Sequence, residues 1–474
     1  MKGITKRNLA PFRGVPEGGF AVVLALFWLG GALPGRSQTA VTNQVTPEML
    51  QQVLSRLAQA EGEIKALKAE LAARPVGSVA TNMTAAAGAA PDPAWQQRLV
   101  KDEAELTKLR SELDARDTVD LKPKYPNLQF HGFGDIDWTA DTRKSGRIPY
   151  GVSTYGGRNT FFLGALDLYL SSQLAENLSI VNETALGAGL DNKMEIDIER
   201  LYLEYRANDY FNLDLGRFHT ALGYYSTTYH HGNWLETAVG RPTFLQFEDS
   251  GGILPVHMVG LSIHGAVPSG KLNLDYFVEV GNGLHYSSDP NNEAVQQITS
   301  FSDSKAVNLA LTARPEGLPG FQFGSGVYYD LITPDLTSQT SGITSLPRNN
   351  QLIFNSHVVY RNALWEMMAE GYLIQDRPQV GSAHYSPAFF TQLSRKFGLL
   401  TPYARFTYYN VSRNDMLYTL AWAGGVNAGV HYGPSLGLRY DFSDFAAFKV
   451  QYDFLHDSGL NDASRITLQA CFTF

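Results

Sequence analysis

The sequence has little cysteine, little charge and no series of long apolar segments. Cys471 is the only cysteine among 474 residues, which excludes a disulfide scaffold and a zinc site built on cysteines. Charged residues make up 18% of the chain, below the usual ~25%, and aromatic residues are many, so a disordered chain is excluded. A bundle of membrane helices would need several apolar runs of about 20 residues, which are absent. With 24 Tyr and 26 Phe, the composition favours a large β-rich protein.

Residues 1–37 are typical of a secretory signal peptide. Basic residues precede an apolar run from Phe20 to Leu29, and the small residues Gly35 and Ser37 supply a cleavage site. A single membrane anchor is the alternative, but the run is short for one. Without this segment the chain would keep 33 of its 38 basic and 45 of its 46 acidic residues, a net charge of −12. Nucleic acid is therefore not expected as a partner, because phosphate binding needs a basic face.

Residues 38–126 predict a periplasmic helical segment, which we call the stalk. Apolar residues from Leu50 to Leu71 follow the alternating three- and four-residue spacing of a coiled-coil seam. A linker rich in Ala, Gly and Pro follows at 76–93, and a second helical pattern begins at Trp95. Because so short a seam rarely holds as a lone helix, self-association is favoured. The alternative is two short helices packed on each other or on another surface.

From Asn127 to Phe474 the apolar period changes to two. In the run from Leu272 to Val280, and again from Ile466 to Phe474, apolar and polar residues alternate. Such runs extend to about 10–13 residues, whereas strands of soluble sheets average nearer 5–6. The longer runs match the length that a tilted strand needs to cross a bilayer.

The connections between these runs alternate between short turns and mostly longer polar segments. The seven short turns lie near 175–177, 207–209, 268–270, 316–320, 361–363, 396–398 and 443–444. The eight opposite connections lie near 140–159, 190–193, 218–254, 282–304, 332–350, 376–383, 412–428 and 457–463. This pattern predicts an all-β fold: a transmembrane antiparallel β-barrel of about 16 strands over residues 127–474, preceded by the short coiled-coil stalk.

Two short motifs resemble a known class of protein. The last strand, Arg465 to Phe474, ends in an aromatic residue and resembles the terminal signal of bacterial outer-membrane proteins. The run Leu213 to Gly223, with its Gly-Arg-Phe sequence, resembles a strand motif of Gram-negative porins, most of all the phosphate-selective porin O and P type. The resemblance implies a porin of the Gram-negative outer membrane, embedded in its lipid. A stalk before the barrel is similar to that of some sugar-specific porins, which are trimers, and so implies a homotrimer.

The longest connection, 218–254, is the candidate selectivity element. In porins of this type the loop after the Gly-Arg-Phe run folds into the pore, so the resemblance implies a constriction here. A lid or a trimer contact is the alternative. Neither a metal nor a cofactor is predicted, since the adjacent His230 and His231 of an extended chain point in opposite directions. The candidate constriction residues are Arg217, Tyr224, Tyr225, His230, Trp234, Glu236, Arg241, Glu248 and Asp249.

Strand parity divides the remaining side chains between lipid and lumen. Aromatic residues in phase with the apolar face, such as Trp138, Phe162 and Phe448, are predicted to face lipid. Charged residues out of phase would either set a field across the lumen or only keep it hydrated. This pattern has few cations near 218–254 and so does not favour phosphate specificity. The predicted lumen-wall charges are Asp135, Asp137, Asp167, Asp214, Arg405, Arg439 and Lys449.

Passive diffusion of small hydrophilic solutes or ions through a water-filled channel is the leading functional hypothesis. The alternative is a structural barrel, which tethers the outer membrane to the cell wall by binding peptidoglycan, or which sheathes a partner. An enzyme is not expected, because no Ser/His/Asp spacing stands out and His231-Gly232-Asn233 lacks a serine.

Overall fold

The computed structural model describes residues 125–142, 160–188, 194–229, 232–247, 252–286, 304–334, 347–418 and 428–474. The predicted signal peptide and residues 38–124 of the predicted stalk lie outside these ranges. Within them, no helix is both long and apolar enough to cross a membrane.

The described ranges form sixteen long strands and one strand of two residues. They are β1 (Asn127–Asp141), β2 (Thr160–Ala175), β3 (Leu178–Ala188), β4 (Met194–Asn208), β5 (Phe211–His219), β6 (His257–Val267), β7 (Leu274–Asn282), β8 (His285–Tyr286), β9 (Lys305–Ala313), β10 (Phe321–Pro334), β11 (Asn349–Arg361), β12 (Trp365–Pro378), β13 (His384–Arg395), β14 (Leu400–Val411), β15 (Gly429–Ser443), β16 (Ala446–Asp457) and β17 (Ala463–Thr473). The helical elements include one α-helical turn, α1 (Tyr225–Thr228), and two 3-10 turns at Thr243–Leu245 and Gly270–Leu272.

The long strands form one closed antiparallel barrel. Each pairs with the next along the chain, and β17 returns to pair with β1, from Phe133 opposite Thr473 to Asp141 opposite Arg465. Gly132 and Phe474 exchange two backbone hydrogen bonds of 3.0 Å at this closure. The short β8 pairs in parallel with the outer end of β10 and adds no member to the ring. The predicted count of sixteen strands is confirmed, and the closed ring leaves no unpaired sheet edge for lipid to meet.

The strands end where the turn residues predict. All seven short turns and all eight opposite connections fall between the long strands as predicted, and residues 220–256 form the longest of them. The outward face is apolar, with Phe161 exposed by 78% and Leu436 by 57%. Because water solvates so continuous an apolar surface poorly, this face belongs in the hydrocarbon of a bilayer.

One lipid-facing prediction is wrong. Phe162 lies opposite Asp137, which is buried inside the barrel, while its neighbour Phe161 points outward. The pairing of β1 with β2 shifts between Gly134 and Ile136. Such a β-bulge inserts an extra residue and reverses the parity of everything beyond it, so strict alternation in the sequence places Phe162 on the wrong face.

Candidate functional site

Residues 220–256, which we call the inner loop, connect β5 to β6, and the parts of this loop that the structure describes, 220–229, 232–247 and 252–256, lie inside the barrel. The backbone N–H of Thr220 donates to Val256 at 2.8 Å, which closes the base of the loop. The N–H of Ala221 donates to the Glu279 carboxylate at 2.9 Å, and Asn308 donates to the carbonyl of Ala221 at 3.1 Å. Both partners lie on the inner wall, on β7 and β9, so the loop enters the lumen immediately after β5.

The inner loop then contacts β12. The backbone N–H groups of Tyr224 and Tyr225 donate to Glu370 at 3.2 and 2.6 Å. The side chains of Tyr229 and Thr237 both donate to Glu366 at 3.0 Å. Two buried carboxylates of one strand therefore hold α1 and the residues that follow it, and each accepts donors that would otherwise be unsatisfied in the interior.

A second set of carboxylates, on β1 and β2, holds the middle of the inner loop. The N–H of Gly232 donates to Asp167 at 3.0 Å, and the side-chain amide of Asn233 donates to Asp135 at 2.8 Å. Asp137 lies two residues further along β1 and is buried on the same inner face as Asp135. The inner loop therefore reaches from β12 to β1 and β2, and so it crosses the lumen.

Three cations of the wall bind the backbone of the inner loop. Arg439 donates to the carbonyls of Trp234 and Glu236 at 2.7 and 2.8 Å. The ammonium group of Lys449 donates to two further loop carbonyls at 2.5 and 3.2 Å, and Arg405 donates to two more at 2.6 and 3.1 Å. Charge-assisted hydrogen bonds are stronger than neutral ones. These three side chains therefore act as anchors of the inner loop, with the guanidinium of Arg439 also 4.8 Å from the centre of the Trp234 ring.

Arg241 holds the inner loop together from within. Its guanidinium donates to the carbonyls of Leu245 and Tyr229 at 2.6 and 2.5 Å, and it lies 4.6 Å from the centre of the Phe247 ring. The residue is 4% exposed. Glu236 is buried nearby, and burial raises the pKa of its carboxyl group while the charge of Arg241 lowers it. Both predicted constriction residues lie inside the loop, and Arg241 stabilises it.

An apolar cluster fills the lumen between the returning half of the inner loop and β12 to β14. Phe244, Leu245 and Ile253 are fully buried. The Phe244 ring packs edge-on against Tyr372 of β12, with 5.5 Å between ring centres, and lies 6.3 Å from the ring of Tyr409 of β14. This part of the lumen is packed like a protein core and leaves little room for water.

The remaining predicted residues lie in different places. Arg217 is on the barrel wall, where its Nε donates to the carbonyl of Glu199 at 3.0 Å. Asp214 is also on the wall, near the short turns and 3.3 Å from His264. His230, His231, Glu248 and Asp249 lie outside the described residues. The structure thus brings together Tyr224, Tyr225, Trp234, Glu236 and Arg241 in the inner loop, with the wall groups Asp135, Asp167, Arg405, Arg439 and Lys449 against it.

Glu279, Glu366 and Glu370 hold the inner loop, yet the sequence does not single them out. Strand parity places all three in the lumen, but it provides no signal for which lumen groups the loop contacts. The partners are far apart along the chain; Tyr225 and Glu370, for example, are 145 positions apart.

A second outer connection, residues 412–418, reaches the inner loop. The hydroxyl of Tyr418 donates to the carbonyl of Ile253 at 3.0 Å, and Asp415 accepts the N–H of Leu417 at 3.0 Å. The buried carboxyl groups of Asp415 and of Asp376 on β12 also lie next to each other. Burial raises the pKa of Asp415, while the hydrogen bonds and the charge of His384 lower it. Two buried carboxyl groups can share a hydrogen bond only if one of them is protonated, so this contact depends on pH.

We expect residues 412–418 to be released as the pH rises. We call the arrangement in which residues 412–418 contact the inner loop the docked form. In the docked form, the contact between Asp415 and Asp376 holds a proton that a free aspartate loses above its ordinary pKa of 3.8. The contact therefore stabilises the docked form fully below that pKa, and its contribution is lost as the pH rises through the raised pKa of Asp415. Asp415→Asn can donate a hydrogen bond to Asp376 without needing the proton. Tryptic cleavage after the exposed Arg413 should accelerate from pH 6 to pH 9 in the wild type relative to this variant. A constant ratio of the two rates would contradict the expectation.

Comparison with known proteins gives information on the architecture only. No protein-family model matches the sequence, and no curated protein matches it. Among solved structures, the anion-selective porin from Comamonas acidovorans is 11% identical with a TM-score of 0.49, over 73% of this chain and 99% of that one. OmpF of Salmonella typhi is 11% identical with a TM-score of 0.49, over 74% and 98%. The outer-membrane channel DcaP of Acinetobacter baumannii is 10% identical with a TM-score of 0.48, over 75% and 99%.

At this identity, and with TM-scores below 0.5, none of these likenesses carries an argument about function. Localisation follows from the barrel itself, because an even-numbered antiparallel barrel with an apolar outer face, short turns at one end and longer connections at the other is the form of Gram-negative outer-membrane proteins. The chain is an outer-membrane β-barrel.

Proposed function

We propose that the protein is a porin that lets small hydrophilic solutes or ions diffuse through its lumen, with the inner loop as the constriction. The observation that carries the proposal is the crossing of the lumen by this loop, held by carboxylates on β1, β2 and β12 and by three cations on β14, β15 and β16. A loop anchored on opposite walls narrows the passage through the barrel without sealing it. Because the loop is fixed in position, the largest solute that can pass is well defined.

The water-facing edge of the inner loop favours small neutral or weakly charged solutes. Thr227, Thr228 and Leu235 are exposed, and Trp234 is half-buried. The two charged groups of the loop that the structure describes, Glu236 and Arg241, are buried inside it, and Arg241 binds its backbone. A phosphate-selective channel of the O and P type is not part of the proposal, because Arg217 and Arg241 are buried against carbonyl oxygens rather than aligned toward water.

We also propose a homotrimer assembled through the predicted stalk. Its support is the three-repeat apolar seam from Leu50 to Leu71, which would bury its apolar face best against other copies. Crosslinking of the intact chain, with a variant truncated before Tyr125 as the control, tests this assembly apart from conduction.

Conductance in planar lipid bilayers tests the proposed channel. We expect the refolded protein to give discrete current steps, and the reversal potential in a KCl gradient to report its charge preference. A control variant in which a Gly-Ser linker replaces residues 229–244 should give larger steps. Current steps from neither protein would contradict the channel and favour a structural barrel. Steps from the shortened variant alone would mean that the inner loop seals the lumen, which contradicts passive diffusion.

A further inference from the structure

Three metal-ligating side chains converge on the wall where β4, β5 and β6 approach the short turns. Glu204 lies opposite Asp214 across β4 and β5, and Asp214 lies opposite Ser262, two residues before His264, across β5 and β6. One ligand atom from each of the three side chains lies within 4.8 Å of the other two. The intervening residues Leu203, Leu215 and Leu261 are exposed on the outward face, so the three polar side chains face the lumen.

The distance between ligand atoms in this cluster matches that of two atoms bound to the same metal ion. His264 Nε2 and Asp214 Oδ2 are 3.3 Å apart. Two ligand atoms bound tetrahedrally at about 2.0–2.2 Å to one zinc ion lie about 3.3–3.5 Å from each other. A direct charge-assisted hydrogen bond would be shorter, at about 2.7–2.9 Å. The second oxygen of the Asp214 carboxylate, Oδ1, is buried and receives no hydrogen bond from any residue that the structure describes.

Neighbouring groups orient two of the three ligands. The hydroxyl of Ser179 donates to Glu204 at 2.8 Å. The ring of Phe277 stacks on the His264 imidazole with 5.3 Å between centres and an interplanar angle of 19°. Contacts of this kind fix the ligand side chains in advance, so that less rotational entropy is lost when they bind a metal ion.

Arg206 offers the competing interaction, because its guanidinium lies 2.9 Å from Glu204. Its side chain is 70% exposed, and an ion pair with so exposed a partner is weak. Arg206 can therefore move into water when a cation binds. Its charge also offsets part of the repulsion between Glu204 and Asp214.

We propose that Glu204, Asp214 and His264 bind one divalent transition-metal ion of the Zn²⁺ type on the lumen wall. One imidazole nitrogen and two carboxylate oxygens suit Zn²⁺ or a similar ion, whereas Ca²⁺ and Mg²⁺ take oxygen ligands. Water from the lumen supplies the fourth ligand. Binding needs the folded barrel but not conduction, so this proposal goes beyond the proposed channel and stands apart from it.

Titration of the refolded full-length barrel with ZnCl₂ tests the site. Calorimetry should show one ion bound per chain, and Co²⁺ in place of Zn²⁺ should give the intense visible absorption of a tetrahedral site. His264→Ala should weaken binding at least about ten-fold and abolish that absorption, and Asp214→Asn, which keeps the side-chain shape, should do the same. Heat-modifiable migration in gels confirms that each variant is folded.

Two control variants separate this site from other histidines. His131→Ala removes an exposed histidine of β1, and a double His230→Ala, His231→Ala variant removes the adjacent pair of the inner loop; both should bind Zn²⁺ as the wild type does. Unchanged binding by His264→Ala, or wild-type binding no tighter than that of this variant, would overturn the proposal. A barrel that binds Zn²⁺ through His264 but carries no current would refute the channel and leave the metal site standing.

Discussion

Replacing Arg405, Arg439 and Lys449 together by methionine is expected to raise single-channel conductance about two-fold or more. The three side chains make six hydrogen bonds to carbonyl oxygens of the inner loop. Hydrogen bonds to charged groups contribute about 1.5–3 kcal/mol each, so their loss should free the segment 233–240 from the wall. The freed segment would then leave a wider passage, which recordings in planar bilayers at high salt measure directly.

Arg314→Met is the matched control. Arg314 pairs with Asp275 near the short turns and contacts none of the inner-loop residues that the structure describes. It should leave the step size unchanged. Chymotrypsin offers an independent measure, since cleavage after Trp234, which is half-buried and contacted by Arg439 in the wild type, should be faster in the triple variant. Wild-type conductance in a triple variant that is cleaved faster would show that the inner loop does not limit the current.

Leu436→Lys is expected to destabilise the barrel in lipid by about 2–4 kcal/mol, the cost of placing a lysine on the lipid face at the middle of the bilayer. Leu436 lies at the centre of β15 and is 57% exposed on the outward face. Its neighbours across the sheet are Ala404 and Tyr452, and neither offers a charge. Urea unfolding in phospholipid vesicles, followed by tryptophan fluorescence, measures the change.

The same substitution at Leu399 is the matched control for depth. Leu399 is 55% exposed in the turn before β14, where the chain reverses at the membrane surface. There a lysine costs only about 0–1 kcal/mol, because its ammonium group reaches water. Equal losses of stability at Leu436 and Leu399 would mean that the outward face of β15 does not lie in the hydrocarbon.

The fold was predictable because its signals are local. A strand's period of two, and the polar residues of a turn such as Ser443-Asp444, lie within a few neighbouring positions. Sixteen strands and the two unequal sets of connections follow from counting these signals. The error at Phe162 came from a bulge between Gly134 and Ile136, which depends on how two strands pair and leaves no mark in the alternation itself.

The site was predictable only in its location. The sequence indicates that the longest connection is the candidate selectivity element and that Arg405, Arg439 and Lys449 face the lumen. It does not indicate that these cations bind the carbonyl oxygens of that connection. Each of those contacts joins residues that lie 165 to 216 positions apart. Nor does it indicate that Arg241 is buried within the loop, because a charged residue of a long polar segment usually lies at the surface.

By itself the sequence determined a closed sixteen-stranded barrel and most of its lipid face, because both depend on short-range patterns of polarity, whereas the entry of residues 218–254 into the lumen was implied only by the resemblance to porins. Only the tertiary structure decided which carboxylates and cations hold the inner loop, and that Glu204, Asp214 and His264 meet on three adjacent strands. The physical reason is that a hydrogen bond or a metal ligand set depends on distances of a few ångströms. Those distances arise only when the closure and register of the barrel bring remote parts of the chain together.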